Sequence, residues 1–229
     1  DARRSAIARG LRWMMAAFLA LLALAAPAPI PGFHEADRVV SLPGWGPPPT
    51  PTYSGFLDAS AAEAGTHLHY HLALSDRAGA DTPVVLWLNG GPGSSSYLGL
   101  LQEHGPLMIN ATGGLFKNPF AWTRLAHLLV LESPGGVGWS YCAAQLQGHS
   151  CANTDKSTAA AARAAVTYFF REKFPALAAA PFFITGESYA GVYVPTLARE
   201  LLDSSEHGVP KLVGVAVGDP CTDNEAQKD

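Results

Sequence analysis

Cysteine is scarce: the 229 residues hold three, too few for the disulfide framework of a small secreted scaffold. Charge is scarce too. Charged residues make up 15% of the chain, the net charge is −4, and the 15 lysines and arginines are scattered, so no basic patch is available for nucleic acid. No apolar run reaches the ~18–20 residues that a membrane-spanning helix needs. The glycine-rich stretch Asn89–Ser96 has no lysine nearby and no G-x-x-x-x-G-K-[ST] pattern, which excludes a phosphate-binding loop of that kind. No internal repeat is visible. The apolar fraction of 48% instead describes one sizeable globular domain with a substantial core.

The chain begins at Asp1 without a methionine, so it reads as incomplete at its start. Arg3, Arg4, Arg9 and Arg12 precede an apolar stretch from Trp13 to Ala26, followed by Pro27-Ala-Pro-Ile-Pro. A basic region, a short apolar core and small residues are the plan of a secretory signal peptide. It is assigned to residues 1–28, with no stable membrane anchor expected after cleavage. Asn110-Ala-Thr112 is an N-glycosylation acceptor, in keeping with export.

After a proline-rich approach over 41–52, the runs Tyr53–Leu57 and Thr66–Leu74 read as an antiparallel strand pair. His67, His69 and His71 share one face there. With no carboxylate or cysteine close in sequence to complete a metal site, they read as a polar outer face, and no metal is expected. Val84–Leu88 and His127–Glu132 are continuous apolar runs, as in strands buried on both faces of a parallel sheet. A helix is expected from about Thr154 to Phe174, stopped by Pro175. Its apolar side holds Ala160, Val166, Phe169 and Phe170, and Lys156, Arg163, Arg171 and Lys173 are left to solvent. A strand over Phe182–Ile184, stopped by Gly186, leads to a helix ending near Ser204, and Lys211–Val217 is a last strand. Strands alternating with helices give an α/β fold.

Three of these strands end in turn-forming sequences: Asn89-Gly-Gly-Pro-Gly, Glu132-Ser-Pro-Gly-Gly-Val-Gly-Trp-Ser-Tyr141 and Gly186-Glu-Ser-Tyr-Ala-Gly191. The last sets Ser188 on a tight strand-to-helix turn. It departs from G-x-S-x-G by one residue, but the mechanics are the same: the turn projects the hydroxyl above the sheet, and the helix N-terminus favours developing negative charge. A glycine-rich strand end such as Asn89–Ser96 can turn backbone N–H groups toward an anion.

In this order and register, with Glu103-His-Gly-Pro106 and Asn118-Pro-Phe-Ala-Trp122, the motifs resemble the serine carboxypeptidase family of the α/β-hydrolase fold, from about Asp37 to Cys221. Residues 37–229 are then the N-terminal part of such a domain. The resemblance implies that Ser188 is the nucleophile and that Gly91 and Tyr189 lend backbone N–H groups to the oxyanion hole. Asn89, Glu103 and Glu187, supported by Trp87, would bind the substrate's terminal carboxylate. Two carboxyl groups can do so only while holding a proton, which burial and mutual repulsion favour. No cofactor is implied. The expected substrates are peptides or proteins with a free C-terminus, met outside the cell or in a vacuole or lysosome.

Two positions depart from the family pattern: Ser94 stands where a cysteine is usual after Gly-Gly-Pro-Gly, and Asp219 where asparagine follows the last strand's glycine. Cys142 and Cys151 bracket a short polar loop and can bridge locally, worth about 2.5–3 kcal/mol by loop entropy, which leaves Cys221 unpaired. In this fold the catalytic acid and histidine follow the serine in the chain. Neither they nor the helical cap insertion nor the later strands fall within 229 residues, so the chain alone is expected to be inactive. The alternatives to a peptidase are an acyltransferase of the same family and a catalytically inactive secreted fragment. Glu187 and Ala190, where such acyltransferases tend to show Asp and Ser, favour the peptidase.

Overall fold

The computed structural model describes residues 30–79, 81–223 and 225–227, and the assigned signal peptide at 1–28 lies outside them. The strands are β1 (Arg38–Val39), β2 (Thr52–Asp58), β3 (His67–Ala73), β4 (Val84–Leu88), β5 (Leu107–Ile109), β6 (Leu115–Lys117), β7 (His127–Leu131), β8 (Phe182–Glu187) and β9 (Leu212–Gly218). The α-helices are α1 (Tyr97–Gln102), α2 (Asp155–Tyr168) and α3 (Ala190–Leu202). Seven strands form one sheet in the order β1-β2-β3-β7-β4-β8-β9, and β5 and β6 make a separate hairpin.

The sheet is mixed. β1, β2, β3 and β7 run antiparallel to their neighbours, whereas β7, β4, β8 and β9 are mutually parallel. Every residue of β7 is buried, as its unbroken apolar sequence requires of a central strand. The β7–β4–β8 register aligns Val84 with His127 on one side and with Phe182 on the other. The C-terminal ends of all three therefore lie together. Those ends carry Asn89, Glu132 and Ser188, so three segments distant in sequence are juxtaposed at one edge of the sheet, where open α/β sheets bind ligands.

Thr154 opens α2 with a reciprocal cap: its hydroxyl accepts from Ser157 N–H, and Ser157 Oγ accepts from Thr154 N–H. These bonds satisfy two otherwise unpaired N–H groups. Eight of its fourteen residues are buried, mostly alanines, and their small side chains let α2 pack on α3 and on β2 and β3. Beyond Tyr168 the helix widens, and Phe174 N–H bonds Phe169 C=O five residues back at 2.8 Å. Phe169, Phe170 and Phe174 thereby enter the core, where Phe174 meets Tyr53 and Tyr70 edge-on at 5.3 and 5.8 Å. The expectation that Lys173 faces solvent is corrected. Its ammonium lies 2.7 Å from Asp37, which also accepts from Tyr70 OH at 2.7 Å.

A second correction concerns the three histidines. His69 and His71 are buried, at 6% and 9% exposure, His69 against the loop that follows β7 and His71 against Tyr97. A carboxylate, Glu132, does reach His69, from 63 residues away. Only His67 at the strand end keeps substantial exposure, stacked on Tyr141 at 5.0 Å.

Asn110 stands exposed in the β5–β6 turn. Its Oδ1 accepts from the Thr112 amide at 3.0 Å, the Thr112 hydroxyl at 2.8 Å and Gly114 N–H at 2.8 Å, so its amide nitrogen is the atom left for solvent. Expression through a eukaryotic secretory pathway should yield a form whose gel mobility rises after endoglycosidase treatment and in Asn110→Gln. An unchanged mobility in both would exclude this site.

Candidate active site

Ser188 follows the last residue of β8 and precedes α3 by one residue. Its φ is 57°, a left-handed conformation that costs a side-chain-bearing residue of the order of 1–2 kcal/mol. The surroundings enforce it. Ser188 N–H donates to Gly218 C=O at 3.0 Å, and Ser188 C=O accepts from Gly191 N–H at 2.9 Å and Cys221 N–H at 2.8 Å. Gly186 does not stop the strand as expected, because β8 continues through Glu187. A Cβ at Gly186 would overlap Leu88 C=O and stand 2.5 Å from the Ala190 methyl, so its missing side chain lets α3 start directly above the sheet. Ser188 Oγ makes no hydrogen bond among the described residues.

The loop after β4 passes directly over this turn. A Cβ on Gly90 would overlap the Tyr189 amide nitrogen and lie 2.8 Å from Glu187 C=O and 3.0 Å from Ser188 Cβ. Only glycine permits that approach. Gly91 adopts φ 111° and leads into a cis bond to Pro92. Neither Gly91 N–H nor Tyr189 N–H is used in a hydrogen bond among the described residues. Two uncommitted amide donors therefore flank the serine, an arrangement able to stabilise an oxyanion on an acylating carbonyl.

Beside the serine lies a polar pocket whose parts fix one another. Asn89 is 2% exposed. Its Oδ1 accepts from Trp87 Nε1 at 2.7 Å and from Gly99 N–H at 3.1 Å, and its Nδ2 donates to Glu187 Oε1 at 2.7 Å. Two donors on one side of the amide leave no choice of orientation. One N–H of the amide is consumed by Glu187 and the second remains to meet a ligand. Trp87 is itself held, edge-on to His104 at 4.3 Å and to Trp122 at 5.5 Å. Burial pushes the His104 imidazole down to about 4, so this aromatic wedge stays neutral.

Glu103, the residue that follows α1, is exposed but within electrostatic reach of Glu187. Partial burial, and then the charge of Glu187, raise its pKa above the ordinary carboxylate value. The two carboxyl groups are close enough to interact, yet no hydrogen bond joins them among the described residues. Next to the serine turn, a cleft of about 820 Å³ is lined by Pro92, Gly93, His149, Asp155, Tyr189 and Tyr193, among others. Tyr189 OH donates to Asp155 at 2.9 Å there. The disulfide Cys142–Cys151 bounds the loop beside this cleft, with Cα atoms 6.0 Å apart, and Cys221 is free.

Sequence reading missed the anchor of the loop after β7. Glu132 is 1% exposed, and its carboxylate accepts from Ser95 Oγ, from Trp139 N–H at 2.9 Å and from His69 Nδ1 at 3.1 Å. Burial opposes its ionisation, but the bonds from His69, Ser95 and Trp139 outweigh burial and hold its pKa below the usual range. The signal available in the sequence was Gly138, whose Cβ would overlap this carboxylate.

Comparisons with known proteins agree with this geometry. The model of the serine carboxypeptidase family matches residues 43–229. Serine carboxypeptidase-like 20 of Arabidopsis thaliana is 39% identical over 206 residues, covering 84% of this chain and 40% of that protein. The lysosomal protective protein of Mus musculus is 41% identical over 186 residues, covering 80% and 37%. The crystal structure of the prohormone-processing carboxypeptidase Kex1 of Saccharomyces cerevisiae superimposes with a TM-score of 0.72 at 25% identity, over 84% of this chain and 44% of that one. The chain thus spans about two fifths of the length of the curated relatives it matches. Because the family match extends over most of the chain and includes every strand end described above, the chain belongs to the serine carboxypeptidase family.

Proposed function

We propose that Ser188 is the nucleophile of a serine-type carboxypeptidase, which releases C-terminal residues from peptides through an acyl-enzyme. The observation that carries this is the Asn89–Glu187 hydrogen bond immediately before Ser188 in the chain, with Glu103 raised in pKa beside it. A general esterase has no need of a carboxylate-binding group at that place. In this reading Ser188 Oγ attacks the last peptide carbonyl, and Gly91 and Tyr189 N–H receive the oxyanion. The free Asn89 N–H and a proton held between Glu103 and Glu187 grip the terminal carboxylate. In this fold the base and acid of the triad follow the serine in chain order. The secretory pathway is the proposed location, supported by the basic and apolar N-terminal pattern and by relatives such as the lysosomal protective protein. Among the described residues no helix is long and apolar enough to cross a membrane.

The sign of the pH dependence follows from the raised pKa. A carboxyl shifted upward keeps its proton to higher pH than usual, and binding of a carboxylate is lost as the pH climbs through the shifted value. In the complete enzyme, KM for a peptide with a free C-terminus should rise about tenfold per pH unit above the pair's apparent pKa, with kcat little changed. A C-terminally amidated peptide should not follow. Glu187→Gln keeps the bond from Asn89 and offers the terminal carboxylate an amide N–H that does not titrate, so the KM profile should flatten. Parallel profiles for the free and amidated peptides would refute the carboxylate-binding role.

A further inference from the structure

The described residues contain a complete hydrogen-bonded serine–histidine–carboxylate chain, and it is not at Ser188. His69 Nδ1 lies 3.1 Å from Glu132 Oε2, and His69 Nε2 lies 2.9 Å from Ser54 Oγ. β3, which carries His69, stands three strands from β8 in the sheet, about 14 Å at the usual inter-strand spacing. This histidine therefore serves a different hydroxyl from that of Ser188.

The proton positions follow from the partners. Glu132 is held in its ionised form by three donors, and a carboxylate only accepts. Nδ1 of His69 is then the donor to Glu132, and in the neutral imidazole the Nε2 lone pair is left to accept from Ser54 O–H. That is the tautomer a general base requires when a carboxylate orients it from behind. Ser140 fixes the backbone of the pair, accepting from His69 N–H at 2.8 Å and donating to Glu132 C=O at 2.6 Å.

Ser54 and His69 line an open cavity of about 290 Å³ with Phe56, Tyr97 and Trp139. Tyr97 supplies a hydroxyl that also contacts His71 Nδ1 at 3.0 Å. Burial pushes that phenol up to about 12, so it remains a donor. We propose that Ser54, His69 and Glu132 form a second acyl-accepting site, independent of Ser188, that takes small aromatic esters into the cleft between Phe56, Tyr97 and Trp139. Ser54 Oγ bonds to the ester carbonyl carbon as its proton passes to His69 Nε2. The tetrahedral oxygen takes a hydrogen bond from Tyr97. The C–O bond to the alcohol then breaks, and the alcohol leaves with the proton from His69. Water, activated by the same imidazole, releases the acid and restores Ser54.

The test uses the complete enzyme carrying Ser188→Ala, treated with an aryl fluorophosphonate and digested for mass spectrometry. The expected adduct is on the peptide containing Ser54, with phosphorus bonded to Oγ and fluoride lost. His69→Gln in the same background should slow its formation by about 100-fold or more, the usual contribution of a general base. An aryl acetate should give matching phenol release that Ser54→Ala abolishes. Absence of a Ser54 adduct in the folded Ser188→Ala chain, verified by circular dichroism, overturns the proposal. So does labelling unaffected by His69→Gln, because a serine held only for structure gains nothing from a base.

Discussion

Replacing Ser188 by alanine in the complete enzyme is expected to lower kcat for peptide hydrolysis by about 10⁴–10⁶-fold, the range over which a nucleophile acts as one unit with its base. Peptide affinity should survive, because the groups proposed to hold the terminal carboxylate, Asn89 and Glu187, are fixed by Trp87 and Gly99 and not by the serine. Stability should also be nearly unchanged, since alanine suffers the same φ of 57°. Ser188→Gly is the informative companion. It removes the nucleophile equally but relieves the left-handed strain, so it should be about 1 kcal/mol more stable than the alanine variant. Measured kcat within tenfold of wild type for either variant would move the nucleophile elsewhere. Equal melting temperatures for the two would mean that the serine is not strained.

Gly90→Ala should have the next largest effect, and on folding as well as on chemistry. Its methyl would overlap the Tyr189 amide nitrogen, part of a rigid turn that cannot swing aside like a flexible side chain. Overpacking of this kind costs about 1–3 kcal/mol. Relief by retreat of the loop would pull Gly91 from the serine, and if Gly91 serves the oxyanion as proposed, loss of one such donor costs about 10²–10³-fold in kcat. Either route leaves little active protein. Gly218→Ala is the control, because nothing lies within 4 Å of a Cβ there. Activity and melting temperature, measured for both, should separate them clearly. A wild-type Gly90→Ala would mean that the loop does not rest on the serine turn.

The parts of the fold that the sequence announced are those with local causes. The unbroken apolar runs Val84–Leu88 and His127–Leu131 could only be central strands, and Thr154 with Ser157 and then Pro175 bracketed α2. Ser188 was legible because a tight turn needs glycine at fixed offsets. Illegible features depended on partners far along the chain. The burial of His69 rests on Glu132, 63 residues later, and that of Lys173 on Asp37, 136 residues earlier. Polar residues at period two read as a wet face whether the cover is water or a folded loop. The short strands β1, β5 and β6, of two or three residues, carry too little pattern to be seen. Around the candidate site, the sequence suggested which residues gather. It did not reveal that Trp87 and Gly99 fix the Asn89 amide, because that depends on side-chain geometry.

The clasp on Ser188 also imposes an order on events during synthesis. Both of its backbone groups are held by residues that leave the ribosome some thirty positions later, Gly218 and Cys221. At about 5–20 residues per second, a nascent chain spends a few seconds with β8 and α3 made and only the Gly191 N–H bond to hold the serine in its costly conformation. During that interval it can relax to an ordinary turn, with its hydroxyl not yet aimed. The hydroxyl proposed here as the nucleophile is thus set in place only once β9 has docked, and completion of that edge of the sheet is the step that holds it there.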